Sequence, residues 1–374
     1  MTRDAIPPLP VDSETPNAPR TSAVVQEASH ELVLMREKLQ HEAGYWIEYL
    51  SRKDVPEACY LKGMCYITGF MNKEKDPERA IRWFRKAVRG EYPLAFARVA
   101  DHYAARKDYV KAVTFYKKGS TLNDPYASYM LGKAFLFHEL GFIKSIPFAI
   151  KYLSRSAELA TTACTEGAYL LAQLHGEWHP SVHVGKEHVN HSVALQLLML
   201  AASLNNHDAQ RQLGRCYEEG LLSCTKDAFL SIAWYCRAAD AGDAHSALKL
   251  SAFYASGWMN IFPPDEVYAF LWCAQAVALD DALAMYTFGE YHERGVGLRR
   301  FGGRDAADNK TARFWYMKAS LHGNEDAKRK LKGTEQKRRS FGLFHNRRKS
   351  ADASVMDVDK GGDKKKRSKS LVRA

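Results

Sequence analysis

Ala209-Gln-Arg-Gln-Leu-Gly-Arg-Cys-Tyr-Glu-Glu-Gly220, followed by Ser231-Ile-Ala-Trp-Tyr-Cys-Arg-Ala-Ala239 and then Gly242, reads as two short helices joined by a turn. In the first, Ala209, Leu213, Gly214 and Tyr217 fall at i, i+4, i+5 and i+8, on one face of a helix. Gly220 suits the left-handed position that ends such a helix, because it has no Cβ to clash there. In the second, Ser231, Trp234, Tyr235, Ala238 and Ala239 again share one face. A helix pair with one apolar side cannot bury that side alone. It needs a neighbour of the same kind.

The chain supplies those neighbours. The Tyr217 position recurs as Tyr66, Tyr103, Phe135, His175, Tyr254 and His292, and the Trp234 position as Trp83, Phe115, Tyr152, Leu197, Trp272 and Trp315. The two anchors keep step through intervals of 32 to 42 and 32 to 45 residues, as whole units with variable loops must. The Gly214 position is Gly63, Ala100, Gly132, Ala172, Ser251 or Gly289, always small, so a large side chain from the partner helix can approach closely. Ala43, Trp46, Ile47 and Leu50 echo a second helix, and Ala327 and Leu331 start another first helix. Both read as the atypical end units that a stack requires. The expected fold is all-α: a right-handed superhelical solenoid of two-helix repeats over residues 29–333. A disordered segment is expected at 1–28 and a disordered basic tail at 334–374.

Charge divides the same way. Lys328 to Ala374 carries 17 Lys and Arg against 5 Asp and Glu, so the tail accounts for the whole chain's net +11 and the remainder is close to neutral. A nucleic-acid-binding body would need a basic face of its own, so no nucleic acid partner is expected. The N-terminal stretch holds Pro7, Pro8, Pro10, Pro16 and Pro19 and no apolar core, unlike a secretory leader. Seven cysteines without a Cys-x-x-Cys pair read as small buried hydrophobes in a reducing compartment.

The repeat resembles the Sel1-like repeat, a relative of the tetratricopeptide repeat, over roughly residues 55–333. Within that group the chain is similar to the fungal chitin-synthase activators. The resembling stretches are Gln212 to Cys224, Ser231 to Ala239, Leu248 to Gly257 with Tyr268 to Trp272, and Gly295-Val-Gly297 with Ala312 to Ala319. The resemblance implies a non-catalytic adaptor, without cofactor or small-molecule substrate, that recruits or activates a membrane-bound chitin synthase in cell-wall or septum synthesis. The alternative is an adaptor of the same build in signalling, protein quality control or nuclear assembly. Members of that family often end in a prenylation box, whereas this sequence ends Leu371-Val-Arg-Ala374. Membrane contact is therefore expected through the partner and the tail, placing the protein in the cytoplasm and peripherally at the plasma membrane.

Chemistry-bearing patterns are few. His175, His179, His183, His188 and His191 cluster with Glu177 and Glu187, but Pro180 breaks the helix that would align them, and an inter-helix loop without metal is expected. Gly295-Val-Gly297 with Gly302-Gly303 lacks the strand and the Lys-Ser/Thr of a phosphate loop. In the tail, Lys337, Arg338, Arg339, Arg347, Arg348, Lys364, Lys365, Lys366 and Arg367 suit anionic lipid or, alternatively, nuclear import. Ser340, Ser350 and Ser368 follow basic residues as phosphorylation candidates. If first helices line the concave face, as in related repeats, the candidate partner contacts are Tyr60, Tyr126, Tyr129, Lys133, Arg211, Arg215, Tyr286 and Glu290.

Overall fold

The computed structural model describes residues 19–258, 263–298 and 307–333. Among them no strand occurs beyond isolated bridges such as Thr161 with Cys164. The chain divides into two compact units, and the division falls within helix α11.

The first unit opens with α1 (Pro19–Arg52) and continues through five hairpins. Their first helices are α2 (Pro56–Thr68), α4 (Pro93–Ala105), α6 (Pro125–Phe137), α8 (Glu166–Gly176) and α10 (His207–Glu219). Their second helices are α3 (Pro77–Arg89), α5 (Tyr109–Thr121), α7 (Ile146–Glu158), α9 (His191–Ser203) and α11 (Ala228–Asp240). The second unit contains the hairpins α12 (Ala244–Ser256) with α13 (Glu266–Ala278) and α14 (Ala282–Arg294) with α15 (Asn309–Leu321), followed by helical residues 325–333. Repeat helices are 13 residues long except α8, which has 11. At 1.5 Å per residue, 13 residues make a rod of about 20 Å.

One backbone hydrogen bond defines the unit. The N–H of the residue that opens each second helix donates to the carbonyl of the Tyr-position residue in the first helix. The pairs are Asp76 to Tyr66, Asp108 to Tyr103, Ser145 to Phe135, Asn190 to His175, Asp227 to Tyr217, Asp265 to Tyr254 and Asp308 to His292, at 2.7–3.0 Å. The acceptors are the seven anchors found in the sequence. Whatever the loop between, the bond returns the chain to the same point. It also satisfies a carbonyl near the helix end that has no intrahelical partner.

Most of these opening residues are also side-chain caps. The carboxylates of Asp76, Asp108, Asp227, Asp265 and Asp308 accept from backbone N–H groups two or three residues on, and Asn190 does so through its amide oxygen. Asp124, Asn206, Asp243 and Asp281 do the same at first helices. An Asp or Asn cap is typically worth ~1 kcal/mol.

Packing inside a unit turns on the small first-helix residue. A Cβ built on Gly63 would lie 2.5 Å from the Phe84 ring, one on Gly132 2.7 Å from Leu153, one on Gly214 2.9 Å from Tyr235 and one on Gly289 2.7 Å from Tyr316. In each case the intruding side chain follows the Trp-position residue. It is buried, whereas Trp83, Phe115, Tyr152, Leu197, Trp234 and Trp315 are only half-buried. Two of the Trp-position rings lie flat against the Tyr-position ring of the same unit, Phe115 on Tyr103 at 5.5 Å and Tyr152 on Phe135 at 5.8 Å.

The N-terminal end differs from expectation. α1 begins at Pro19, inside the segment expected to lack structure, and runs unbroken for 34 residues. Its C-terminal end docks on the first repeat. The buried Lys62 ammonium donates to Glu48 at 3.0 Å and to the Ser51 hydroxyl at 3.2 Å, and lies 4.0 Å from the Trp83 ring. Farther back, Met35, Leu39 and Trp46 are exposed.

Candidate protein-interaction face

In the first unit α4 touches α6 and α6 touches α8, whereas neighbouring second helices do not approach each other as closely among the described residues. Across α4, α6 and α8 the first helices therefore stand on the inner side, and the second helices between them, α5 and α7, on the outer side.

On the inner side a groove of about 350 Å³ runs across three repeats. Its walls include Tyr60 from α2, Tyr92, Leu94 and Arg98 at α4, and Asp124 and Tyr126 at α6, and its far edge is the α7–α8 turn at Thr161–Cys164. Local sequence explains why these side chains meet. Pro93 and Pro125 occupy the first turns of α4 and α6, where a missing N–H costs nothing, so both helices start at the groove floor. Tyr92 and Tyr60 pack at 5.1 Å, and Tyr60 leans on Phe84 at 5.7 Å.

Arg98 is the groove's cation. Its guanidinium lies over the Tyr126 ring at 4.7 Å and donates to Asp101 at 3.4 Å. Asp101 also accepts from the Tyr116 hydroxyl at 2.5 Å. Burial, then the adjoining Asp101 charge, pushes the Tyr126 phenol up to about 12. Burial raises the Asp101 carboxyl despite the bonds from Tyr116 and Arg98. Asp124 is fully buried. One oxygen caps α6 through the Tyr126 N–H at 3.0 Å, and the other, Oδ2, has no hydrogen-bond partner. Burial pushes its pKa up to about 6. Arg98, Asp101, Tyr116 and Tyr126 hold one another in place, which makes a shaped surface with aromatic walls and a single oriented cation. Such a surface can take a partner side chain by burying area while offering a polar contact.

The expected contact residues separate into three places. Tyr60 and Tyr126 share the groove, and Tyr129 lies 6.3 Å from Tyr126 and packs against the core. Lys133 pairs with Glu139 at 3.7 Å. Arg211 and Arg215 sit on α10 in local ion pairs, with Asp208 at 2.5 Å and Glu219 at 2.9 Å. Tyr286 and Glu290 belong to the second unit. There the Tyr286 hydroxyl donates to Glu290 at 3.1 Å, and Lys330 approaches Glu290 at 3.4 Å. Sequence reasoning missed Tyr92, Arg98 and Asp124. The Asp-Pro-Tyr run at 124–126 and the Tyr-Pro run at 92–93 were the signal available.

The histidines are dispersed. His175 is half-buried with Nδ1 2.6 Å from the His188 carbonyl, His179 packs on Phe137 at 5.6 Å, and His183 and His191 are exposed. Among the described residues no group of three His, Cys, Asp or Glu comes together as a metal site. Cys59, Cys65, Cys164, Cys216 and Cys273 are buried thiols, and burial pushes Cys164, Cys216 and Cys273 up to about 12, far from the reactive range. The basic tail and its serines, Ser340, Ser350 and Ser368, lie outside the described residues.

Hairpins clamped by the same bond, closed by the same small-residue contact and lined by half-buried aromatics define a helical-repeat scaffold of the tetratricopeptide-like class. The chain belongs to the Sel1 repeat family: the family model matches residues 56–92, 101–124, 125–160, 207–243, 244–281 and 282–324, more than half of the sequence. The α8–α9 hairpin falls between these matches, yet it carries the defining bond from Asn190 to His175. Two solved structures share the fold. A Sel1 repeat protein from Oxalobacter formigenes has a TM-score of 0.55 and 23% identity over 79% of this chain and 81% of its own. A protective antigen of uropathogenic Escherichia coli with an SLR fold has a TM-score of 0.57 and 17% identity over 79% of this chain and 60% of its own. Among curated proteins, chitin synthase regulatory factor 3 of Schizosaccharomyces pombe is 29% identical over 75% of this chain and 29% of its own length. Chitin synthase regulator SKT5 of Saccharomyces cerevisiae is 28% identical over 94% and 48%. The chain thus spans less than half the length of these relatives.

Proposed function

We propose that the chain is a non-enzymatic adaptor that binds and activates or recruits a membrane-bound chitin synthase, acting as a peripheral protein on the cytoplasmic side of the membrane. The observation that carries this reading is the similarity to two proteins named as chitin synthase regulators, one of them aligned over 94% of this chain. The site chemistry agrees with binding rather than turnover. The Arg98 cation of the inner groove is engaged with Asp101 and the Tyr126 ring, and the buried thiols are held protonated. No helix among the described residues is long and apolar enough to cross a membrane, so the reading places the synthase, not this chain, within the bilayer.

The inner groove of the first unit is the docking place this reading favours, with Tyr60, Tyr126 and Arg98 as its anchors. Affinity purification of the tagged chain from detergent-solubilised native cells should recover a chitin synthase, and deletion of the gene should lower cell-wall chitin. Absence of any chitin synthase from the eluate, together with unchanged chitin, would sink the proposal.

A further inference from the structure

The outer side of the first unit carries a second concave feature. A pocket of about 430 Å³ lies between α5 and α7, and Lys117, Thr121, Lys151, Tyr152, Arg155 and Glu158 are among the residues that line it. Three cations thus face one carboxylate. Several basic residues of the first three hairpins are paired: Lys86 with Asp54, Arg106 with Glu78, Lys111 with Asp108 and Lys118 with Glu91. Lys117 and Lys151 are exposed and have no ion pair or hydrogen bond among the described residues. The Arg155 guanidinium donates one bond, to Asn123 at 3.0 Å, and its buried Nε has no acceptor. The pocket thus gathers three cations, two of them without a partner among the described residues, around one carboxylate. Recessed charge of one sign focuses the field and attracts a counter-ion.

We propose that this pocket binds the multiply phosphorylated inositol headgroup of an anionic lipid. Lys117 and Lys151, from different helices, take separate phosphates. The Arg155 guanidinium, short of one acceptor, turns an edge to a phosphate oxygen, and the Tyr152 ring walls the sugar. The volume lies in the range of small-ligand sites and exceeds what a single phosphate fills. A lipid source follows from the position. The pocket opens on the second-helix side, which faces away from the inner groove and can meet a bilayer, and its three cations suit a cluster of phosphates. The site stands apart from the chitin-synthase reading, so either can fail without the other.

Calorimetric titration of the full chain with inositol 1,4,5-trisphosphate should give one saturable site. The double variant Lys151→Gln, Arg155→Gln should weaken it roughly tenfold or more, since two charge-assisted contacts are lost. Lys117→Gln, an exposed change, serves as a second variant should the double one melt early. Substitution of Lys364, Lys365 and Lys366 by Gln in the tail should leave this binding unchanged. Phosphatidylcholine vesicles carrying phosphatidylinositol 4,5-bisphosphate should co-sediment the protein more strongly than vesicles of equal charge made with phosphatidylserine. Absence of saturable binding, unchanged affinity in both pocket variants, or loss through the tail substitutions instead would overturn the proposal. Binding of the soluble headgroup without preference for the phosphoinositide vesicles would overturn its assignment to a lipid.

Discussion

At the scale of single residues, the small residue at the centre of each hairpin, a glycine in four of the seven, decides how closely two helices approach. The Gly214 contact leaves no room for a side chain beside the Tyr235 ring. Gly214→Leu should therefore destabilise the protein by about 1–3 kcal/mol through overpacking. A thermal midpoint equal to that of the wild type would count against the contact. Asp124 makes the opposite prediction. Its carboxyl is raised to about 6 by burial, from an ordinary value near 3.8, and one oxygen is unbonded. A raised carboxyl means the folded state holds the proton more tightly than the unfolded one, so stability falls as pH rises between about 4 and 6. Asp124→Asn keeps a capping oxygen and discards the buried charge. It should be more stable than the wild type at pH 8 by about 1–3 kcal/mol, with a flatter pH profile across that interval. Chemical denaturation at pH 4 and pH 8 tests both parts. A variant less stable at pH 8 would contradict the account.

At the scale of elements, much was legible and the gaps have physical reasons. The Tyr and Trp anchors placed all seven hairpins, including α8–α9, because the same residues recur where two helices must meet. The anchors do not say which residue lies deepest. Trp234 stands out in the sequence, but Tyr235 lies deeper, since adjacent positions on a helical face differ in depth by an amount that periodicity alone does not fix. The Asp and Asn caps escaped notice because they sit in turns of variable length, off the helical period. α1 was read as starting near Ser29 because a proline-rich beginning outweighed a helical pattern with no repeat partner. Its docking on the first repeat includes the buried Lys62, which bonds both Glu48 and Ser51. The hydrogen bond from Lys62 holds the Glu48 carboxyl below the usual range. That contribution is present at neutral pH and fades on acidification through the lowered value. Lys62→Met should release α1 while the repeats stay folded. Limited trypsin digestion should then cut within residues 36–53 much sooner than in the wild type, and equal cutting rates would show that α1 is held by something else.

At the scale of the molecule, the candidate interaction surface was only half visible in the sequence. Tyr60 and Tyr126 were found, whereas Arg98 and Asp124 were not, because the groove is assembled from three successive repeats and depends on how each stacks on the last. Stacking register is set by inter-repeat contacts that no single repeat displays. The structure also separates contacts that the sequence grouped: Arg211 and Arg215 stand on α10, away from the groove residues, each in a local ion pair. Paired pull-downs distinguish the surfaces. Arg98→Glu with Tyr126→Ala should abolish partner capture at unchanged helical content. Arg211→Glu with Arg215→Glu should do so only if the docked segment extends as far as α10. Full capture by both double variants would move the interface off the first helices altogether.

The bond between the opening amide of each second helix and the anchor carbonyl joins main-chain atoms only. Its geometry is indifferent to which side chain the anchor bears, as His175 and Phe135 illustrate. Selection can therefore rewrite a hairpin's surface, even past the point where the family pattern is recognised, without losing the architecture. Gene duplication or deletion of one hairpin would lengthen or shorten the array by a whole module. Such a protein can change what it grips and how far it reaches as two separate evolutionary events.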